Sequence, residues 1–211
     1  MSIAVKRYKK LVKELLFTYS ELEYVNEVLK GAHLEFETYY RNYCDDNNVP
    51  LDDLNSQNQE RLSTIFPKKK VNVDETGIIQ YDQVNEEEKQ NNKVFHRMYR
   101  IIAKKIHPDK FSNIELNDVI MEKINDFKEA TSAYDKKNWA KFLDICEKYD
   151  ILPTRYEKIN SLITKEIYDI NKLSERQKLT YSWRLYECGD DTECKNNLIK
   201  EFLFLVFKYS V

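Results

Sequence analysis

Between residues 3 and 44 an apolar or aromatic residue returns at every seventh position: Tyr8, Leu15, Leu22, Leu29, Phe36 and Tyr43. A second set follows three residues after each of the first five: Leu11, Thr18, Val25, Ala32 and Tyr39. Side chains three and four apart share one face of an α-helix, so the pattern predicts a helix with a single a/d seam. The stretch holds one Gly and no Pro. At ~1.5 Å per residue such a helix is roughly 60 Å long, too long to bury its seam against itself. The seam needs a cover. One candidate is a second copy, giving a homodimer through residues 8–43. The other is the C-terminal segment, folded back with Phe202, Leu203, Phe204, Val206 and Phe207. Gly31 with His33 marks a further alternative, a break into a helical hairpin.

The same scarcity of turn-formers extends along the chain. Three Gly and four Pro in 211 residues argue against a sandwich or barrel of many short strands, and against a Gly-rich nucleotide-binding loop. The expected fold class is all-α. Hydrophobic residues at 42% provide for a packed core rather than wholesale disorder. With 34 basic and 36 acidic side chains, charge alone gives no reason to expect nucleic-acid binding; only a local patch would do it. Cys44, Cys146, Cys188 and Cys194 are scattered without a CxxC pair, so no metal site and no cofactor is expected. Cys188 and Cys194 flank a short Gly-Asp-Asp-Thr-Glu stretch and could close a small loop if oxidised. The expected state of all four is a free thiol in a reducing compartment. The opening MSIAVKRYKK has no apolar core of a secretory signal. The most apolar run, Leu198 to Val206, is interrupted by Lys200 and Glu201 and is far short of the ~20 residues of a membrane span. The expected location is intracellular and cytoplasmic, with no membrane partner.

Four consecutive segments follow from local signals. Residues 1–44 are the long heptad helix. Residues 45–83 are polar and turn-rich and read as a linker, with a small β-hairpin expected where VNV and IIQY flank Asp74-Glu75-Thr76-Gly77. Residues 84–152 begin with a capping pattern, Asn85 with Glu88, and hold a helix to about Ile106. His107 before Pro108 ends it. A second helix should start near Ser112–Glu115 and run to about Tyr134, and a third follows Trp139. Residues 153–211 form a C-terminal helical region, with helices near 154–173, 175–187 and 193–208 and a turn at Gly189-Asp190-Asp191.

The most informative stretch is Tyr99 to Lys110. Lys93, Arg97, Arg100 and Lys104 fall within about 60° of one another around the helix axis. Phe95, Met98, Tyr99, Ile102 and Ile106 occupy the opposite face. One face packs; the other is a basic stripe with no acidic partner. Between Lys93 and Lys110 there are six Lys or Arg and one Asp, in a chain of net charge -2. The stripe ends at a turn where proline restricts the backbone and sets an imidazole beside a carboxylate.

The order Tyr99, Arg100, Ala103, His107, Pro108, Asp109, Lys110 resembles the second helix and turn of the J-domain of DnaJ-type co-chaperones. Phe127, Lys128, Glu129, Ala133 and Tyr134 resemble the pattern of that family's third helix. The resemblance covers roughly residues 85–136, and it implies a helix pair that stimulates ATP hydrolysis by a DnaK-type chaperone without doing chemistry itself. The implied docking residues are Arg97, Arg100, Lys104 and Lys105 on the helix and His107, Pro108, Asp109 and Lys110 in the turn. Asp109 would pair with a chaperone arginine. The family's first helix is not visible, and residues 71–83 stand in its place. Its basic fourth-helix motif is missing as well, since Lys136, Lys137 and Trp139 lead into another amphipathic helix. No Gly/Phe-rich region or zinc-binding repeat follows. In its Asn-, Lys-, Ile- and Tyr-rich composition and its Trp183 helix the chain is similar to compact J-domain proteins of giant DNA viruses, which implies virion association as an alternative location.

Other function classes have less support. His33, His96 and His107 are far apart, no HExxH, GxSxG or P-loop occurs, and His96 is expected to be half-buried; the chain is not expected to be an enzyme. A scaffold or virion assembly protein that keeps the J-like fold as a docking module is the main alternative, favoured by the missing first helix and opposed by the intact His-Pro-Asp. Nucleic-acid binding by the stripe lacks interleaved aromatics for base stacking.

Overall fold

The computed structural model describes residues 2–65, 86–112, 114–115 and 117–210, with side chains in the third helix described from Lys93 onward. Among the described residues the chain is all-α, with eight helices and no strand. They are α1 (Ile3–Asp46), α2 (Leu51–Ile65), α3 (Glu86–Ile106), α4 (Asp118–Asp135), α5 (Trp139–Lys148), α6 (Tyr156–Lys178), α7 (Tyr181–Glu187) and α8 (Thr192–Phe202). A 3-10 turn, Pro108–Phe111, follows α3, and a π-helical turn, Leu203–Phe207, follows α8. The hairpin expected over 71–83 and the capping residue Asn85 lie outside the described residues.

The long helix is unbroken over 44 residues. Gly31 is helical, and a Cβ added there would meet nothing within 4 Å, so neither a turn nor a close approach called for glycine. The helix stops at Asn48, which adopts φ 52, while the Val49 amide N–H donates to the Cys44 carbonyl at 2.9 Å. That is a left-handed C-cap with asparagine in the usual glycine position.

The chain divides into two compact units, each assembled from segments distant in sequence rather than from one consecutive stretch. The first takes α1 up to Leu22 together with α3, α4, α5 and α6 as far as Lys172. Its core joins Tyr8, Val12 and Leu15 of α1 to Phe95, Met98, Ile102 and Ile106 of α3, Ala130 and Ala133 of α4, Phe142, Leu143 and Cys146 of α5, and Ile159 and Ile163 of α6. The second unit takes α1 from Glu23 together with α2, the end of α6, α7, α8 and the π turn. Its larger core gathers Phe36, Tyr40, Tyr43 and Cys44 with Leu54, Leu185, Leu198, Ile199 and Leu203. The Phe202 ring meets Phe36, Tyr40 and Tyr181 edge-on at 5.2, 5.1 and 5.0 Å.

The α1 seam is therefore covered within the chain, in each unit separately. Tyr8, Leu15, Thr18, Val25, Leu29, Ala32, Phe36 and Tyr43 are buried. Of the C-terminal residues expected to cover it, Phe202, Leu203 and Phe207 pack into the second core, whereas Phe204 stays exposed. A homodimer through residues 8–43 would have to open both cores.

Two local expectations are corrected. The polar stretch read as linker contains a helix, α2, because Asp52 and Asp53 suit its first turn and Leu54 enters the second core. Cys188 and Cys194 form a disulfide with Cα atoms 5.7 Å apart, joining the end of α7 to the first turn of α8. The short turn at Gly189 brings the two thiols into bonding range, a proximity that spacing left open and that compartment reasoning set aside. Cys44 and Cys146 are free and buried. No helix among the described residues is long and apolar enough to cross a membrane.

Candidate functional site

The site is built on α3 and α4, which pack against each other in the first unit. α3 buries Phe95, Met98, Ile102 and Ile106, each no more than 3% exposed. The helical period then forces Lys93, Arg100 and Lys104 outward, and all three are exposed. Among the described residues none of Lys93, Arg97, Arg100, Lys104 or Lys105 has an acidic side chain within ion-pair distance. Five positive charges therefore lie on little more than three turns of helix with no acidic partner among the described residues.

The α4 motif holds the other side. Ala130 and Ala133 are buried and let the two helices approach closely. Tyr134 stacks on Tyr99 with ring centroids 4.8 Å apart, and the Tyr99 and Thr131 hydroxyls lie 3.2 Å apart. Phe127 meets the His107 ring edge-on at 4.9 Å. Phe127 thus gives the imidazole a side wall, and the spacing of Phe127, Ala130, Ala133 and Tyr134 acquires a physical reason. His96 is exposed rather than half-buried, with Nδ1 3.3 Å from the Tyr134 hydroxyl. It sits on the flank toward α4 rather than in the buried arc.

The turn itself is heavily braced. The His107 N–H donates to the Ala103 carbonyl at 3.0 Å and so ends α3. His107 then leaves the helical region, φ -60 and ψ 136, as the residue before a proline prefers. Its Nδ1 accepts the Asp109 amide N–H at 3.3 Å and lies 3.4 Å from the Asp109 carboxylate. The Lys110 N–H donates to the His107 carbonyl at 3.0 Å, and Ser112 Oγ donates to the Asp109 carbonyl at 2.9 Å. With its backbone held in this way, the Asp109 carboxylate projects into solvent, its side chain 89% exposed.

Not all of the expected docking cations are free. Lys110 Nζ donates to the Lys104 carbonyl at 2.8 Å and caps the end of α3. Lys105 Nζ donates to the Tyr149 carbonyl at 2.5 Å, and Arg97 reaches the Thr154 hydroxyl at 3.5 Å. These contacts come from residues 149–154, between α5 and α6, which no motif in the sequence pointed to. Among the described residues the Arg100 and Lys104 side chains, beside the turn, have no such partner. A groove of about 480 Å³ also borders the turn, lined by Pro108, Phe127, Lys128, Thr131, Ser132 and Asp135. Its mostly apolar wall beside exposed charges suits a protein surface or an extended segment as the bound species.

No protein-family model, no curated protein and no solved structure matches this chain. Its functional reading rests on the geometry of this turn and helix pair.

Proposed function

We propose that this chain is a J-domain co-chaperone that docks on the ATPase of a DnaK-type chaperone and stimulates its ATP hydrolysis. The observation that carries the reading is the His107-Pro108-Asp109 turn, held by backbone bonds at the end of α3 with Asp109 exposed and with Arg100 and Lys104 exposed on the adjoining turns. Packing does not require this arrangement, since none of Pro108 to Phe111 is buried. A rigid, exposed carboxylate beside an uncompensated basic face suits an acidic partner that offers an arginine to Asp109. The role of the missing first helix, bracing the helix pair, has a substitute here: Tyr8, Val12 and Leu15 of α1 share one core with α3, α4, α5 and α6. That weakens the main argument for a scaffold that merely retains the fold.

Single-turnover ATP hydrolysis by a DnaK-type chaperone, with and without this chain, tests the proposal. The wild type should accelerate hydrolysis. His107→Gln and Asp109→Asn should abolish the acceleration while leaving the helical circular-dichroism signal and melting temperature unchanged, because both residues lie in a surface turn. Equal rates for wild type and His107→Gln would remove the co-chaperone reading and leave the scaffold.

A further inference from the structure

The two bonds between α3 and the segment after α5 define a surface. Lys105 meets Tyr149 and Arg97 meets Thr154, so the segment runs antiparallel to α3 along the flank that carries both cations. Arg97, Ile101 and Lys105 follow at intervals of four residues and therefore share that flank. Ile101 lies midway between the two bonds. Burial alternates along the segment: Ile151 and Pro153 are buried, while Leu152 between them is exposed. Leu152 is 38% exposed and Ile101 is 40% exposed. Arg155, the next cation, is exposed as well. The flank thus holds two exposed aliphatic side chains with three cations, Arg97, Lys105 and Arg155, and one acid, Asp150, and on the helix it adjoins the face of Arg100 and Lys104.

Resting on the co-chaperone reading, we infer that the 149–155 segment is a second docking element, in which Leu152 and Ile101 make an apolar contact with the same acidic chaperone face that takes the α3 stripe. Charge complementarity selects this occupant. An acidic surface drawn to Arg100 and Lys104 meets three more cations against the single acid Asp150 on the flank, and the two aliphatic side chains are then enclosed by charge pairs that exclude water. Arg97 and Lys105 serve both roles, since each has donors left over after its bond to the segment. The contact makes Leu152, Ile101 and Arg155 determinants of which chaperone is recognised.

The two kinds of contact act on different rate constants. Desolvated apolar contacts act mainly on dissociation and are insensitive to salt, whereas rim charges act on association. Association and dissociation rates of the full chain with a DnaK-type chaperone should be measured by surface plasmon resonance at two salt concentrations, beside the ATPase assay. Leu152→Ser and Ile101→Ser should each raise the dissociation rate about tenfold at both salts. Arg155→Glu should slow association severalfold at low salt, with the difference shrinking as salt rises. All three side chains are exposed, so the melting temperature checks that each variant folds as wild type does. If wild type binds and stimulates while all three variants match it, the docking element is wrong and the co-chaperone reading stands. If wild type neither binds nor stimulates, both fall together.

Discussion

Four helical segments of this chain end on a residue that is not glycine yet has positive φ: Asn48 at 52, Lys137 at 55, Asp150 at 53 and Lys208 at 59. Each allows the following amide N–H to return to a carbonyl of the last helical turns: Val49 to Cys44, Asn138 to Ala133, Ile151 to Cys146 and Tyr209 to Leu203. A chain with three glycines can stop its helices in this way, at a cost of about 1 kcal/mol for each side chain held in the left-handed region. Lys137→Gly should therefore stabilise the protein by roughly 0.5–1 kcal/mol, read as a shifted midpoint in urea unfolding. Two other residue-scale expectations concern titration. Burial pushes the Cys146 thiol up to about 12 and also raises that of Cys44. Neither should react with a thiol-reactive dye in the native chain. Two thiols should label after denaturation and four after denaturation with reduction. Glu201 accepts two bonds from the Arg184 guanidinium at 2.7 Å, which lower its carboxyl pKa below the ordinary glutamate value. A carboxyl whose pKa falls on folding adds stability above its unfolded pKa of about 4.3 and loses it as pH drops through the folded value. Both partners are more than a third exposed, so Glu201→Gln should cost under about 1 kcal/mol at pH 7, with the difference from wild type vanishing in acid.

Among the elements, α1 carries the clearest signal and the clearest consequences. Leu15 is fully buried in the first core, so Leu15→Ala should cost about 3 kcal/mol in chemical unfolding. Gly31 is helical and open on all sides, so Gly31→Ala should raise the melting temperature by about 2–4 °C. Leu22→Asp with Leu29→Asp distinguishes the two covers of the seam. With Leu29 buried and Leu22 packed at the edge of the first core, the double variant should lose stability rather than yield a well-folded monomer from a dimer. Light scattering of the wild type should report a single chain. The Cys188–Cys194 disulfide is the other element-scale device. It closes a loop across six positions, and Cys188→Ser should cost about 2 kcal/mol through the freed unfolded chain.

At the scale of the whole molecule, the near-neutral charge balance hides a local excess. The net charge of -2 is a sum over 34 basic and 36 acidic residues, while the α3 stripe concentrates cations with no acid alongside among the described residues. Arg100→Glu with Lys104→Glu should slow association with a DnaK-type chaperone, and raised salt should do the same to wild type. Thermal stability should hardly move, because neither side chain belongs to the packed face of α3. Binding that responds to neither change would remove electrostatic docking from the mechanism.

Periodicity and punctuation are local properties, and they were sufficient for much of this chain. The heptad from Tyr8 to Tyr43, the apolar and basic faces of α3, the end of that helix at His107 and the all-α class follow from residues within a few turns of one another. Local signals misjudged α2, where Asn, Asp and Gln look like a linker until Leu54 finds a core, and they placed the start of α4 a few residues early, since Asn117 rather than Ser112 to Glu115 caps it. What a face packs against is a different kind of question. A seam looks the same whether a second copy or the same chain covers it, and only the folded cores show Tyr8 against Tyr156, and Tyr40 against Phe202. The same holds for Cys188 and Cys194, whose pairing depends on the turn that brings them together. It holds above all for the cations at and beside the basic face of α3. Composition and helix geometry placed Arg97, Arg100, Lys104, Lys105 and Lys110 on or beside one basic face. Tertiary packing then committed Lys105 to the Tyr149 carbonyl, Arg97 to the Thr154 hydroxyl and Lys110 to the end of α3, leaving Arg100 and Lys104 without such a partner among the described residues. A side chain's chemistry and direction are set by its own helix, but its partner is whatever distant segment the whole chain brings within bonding distance.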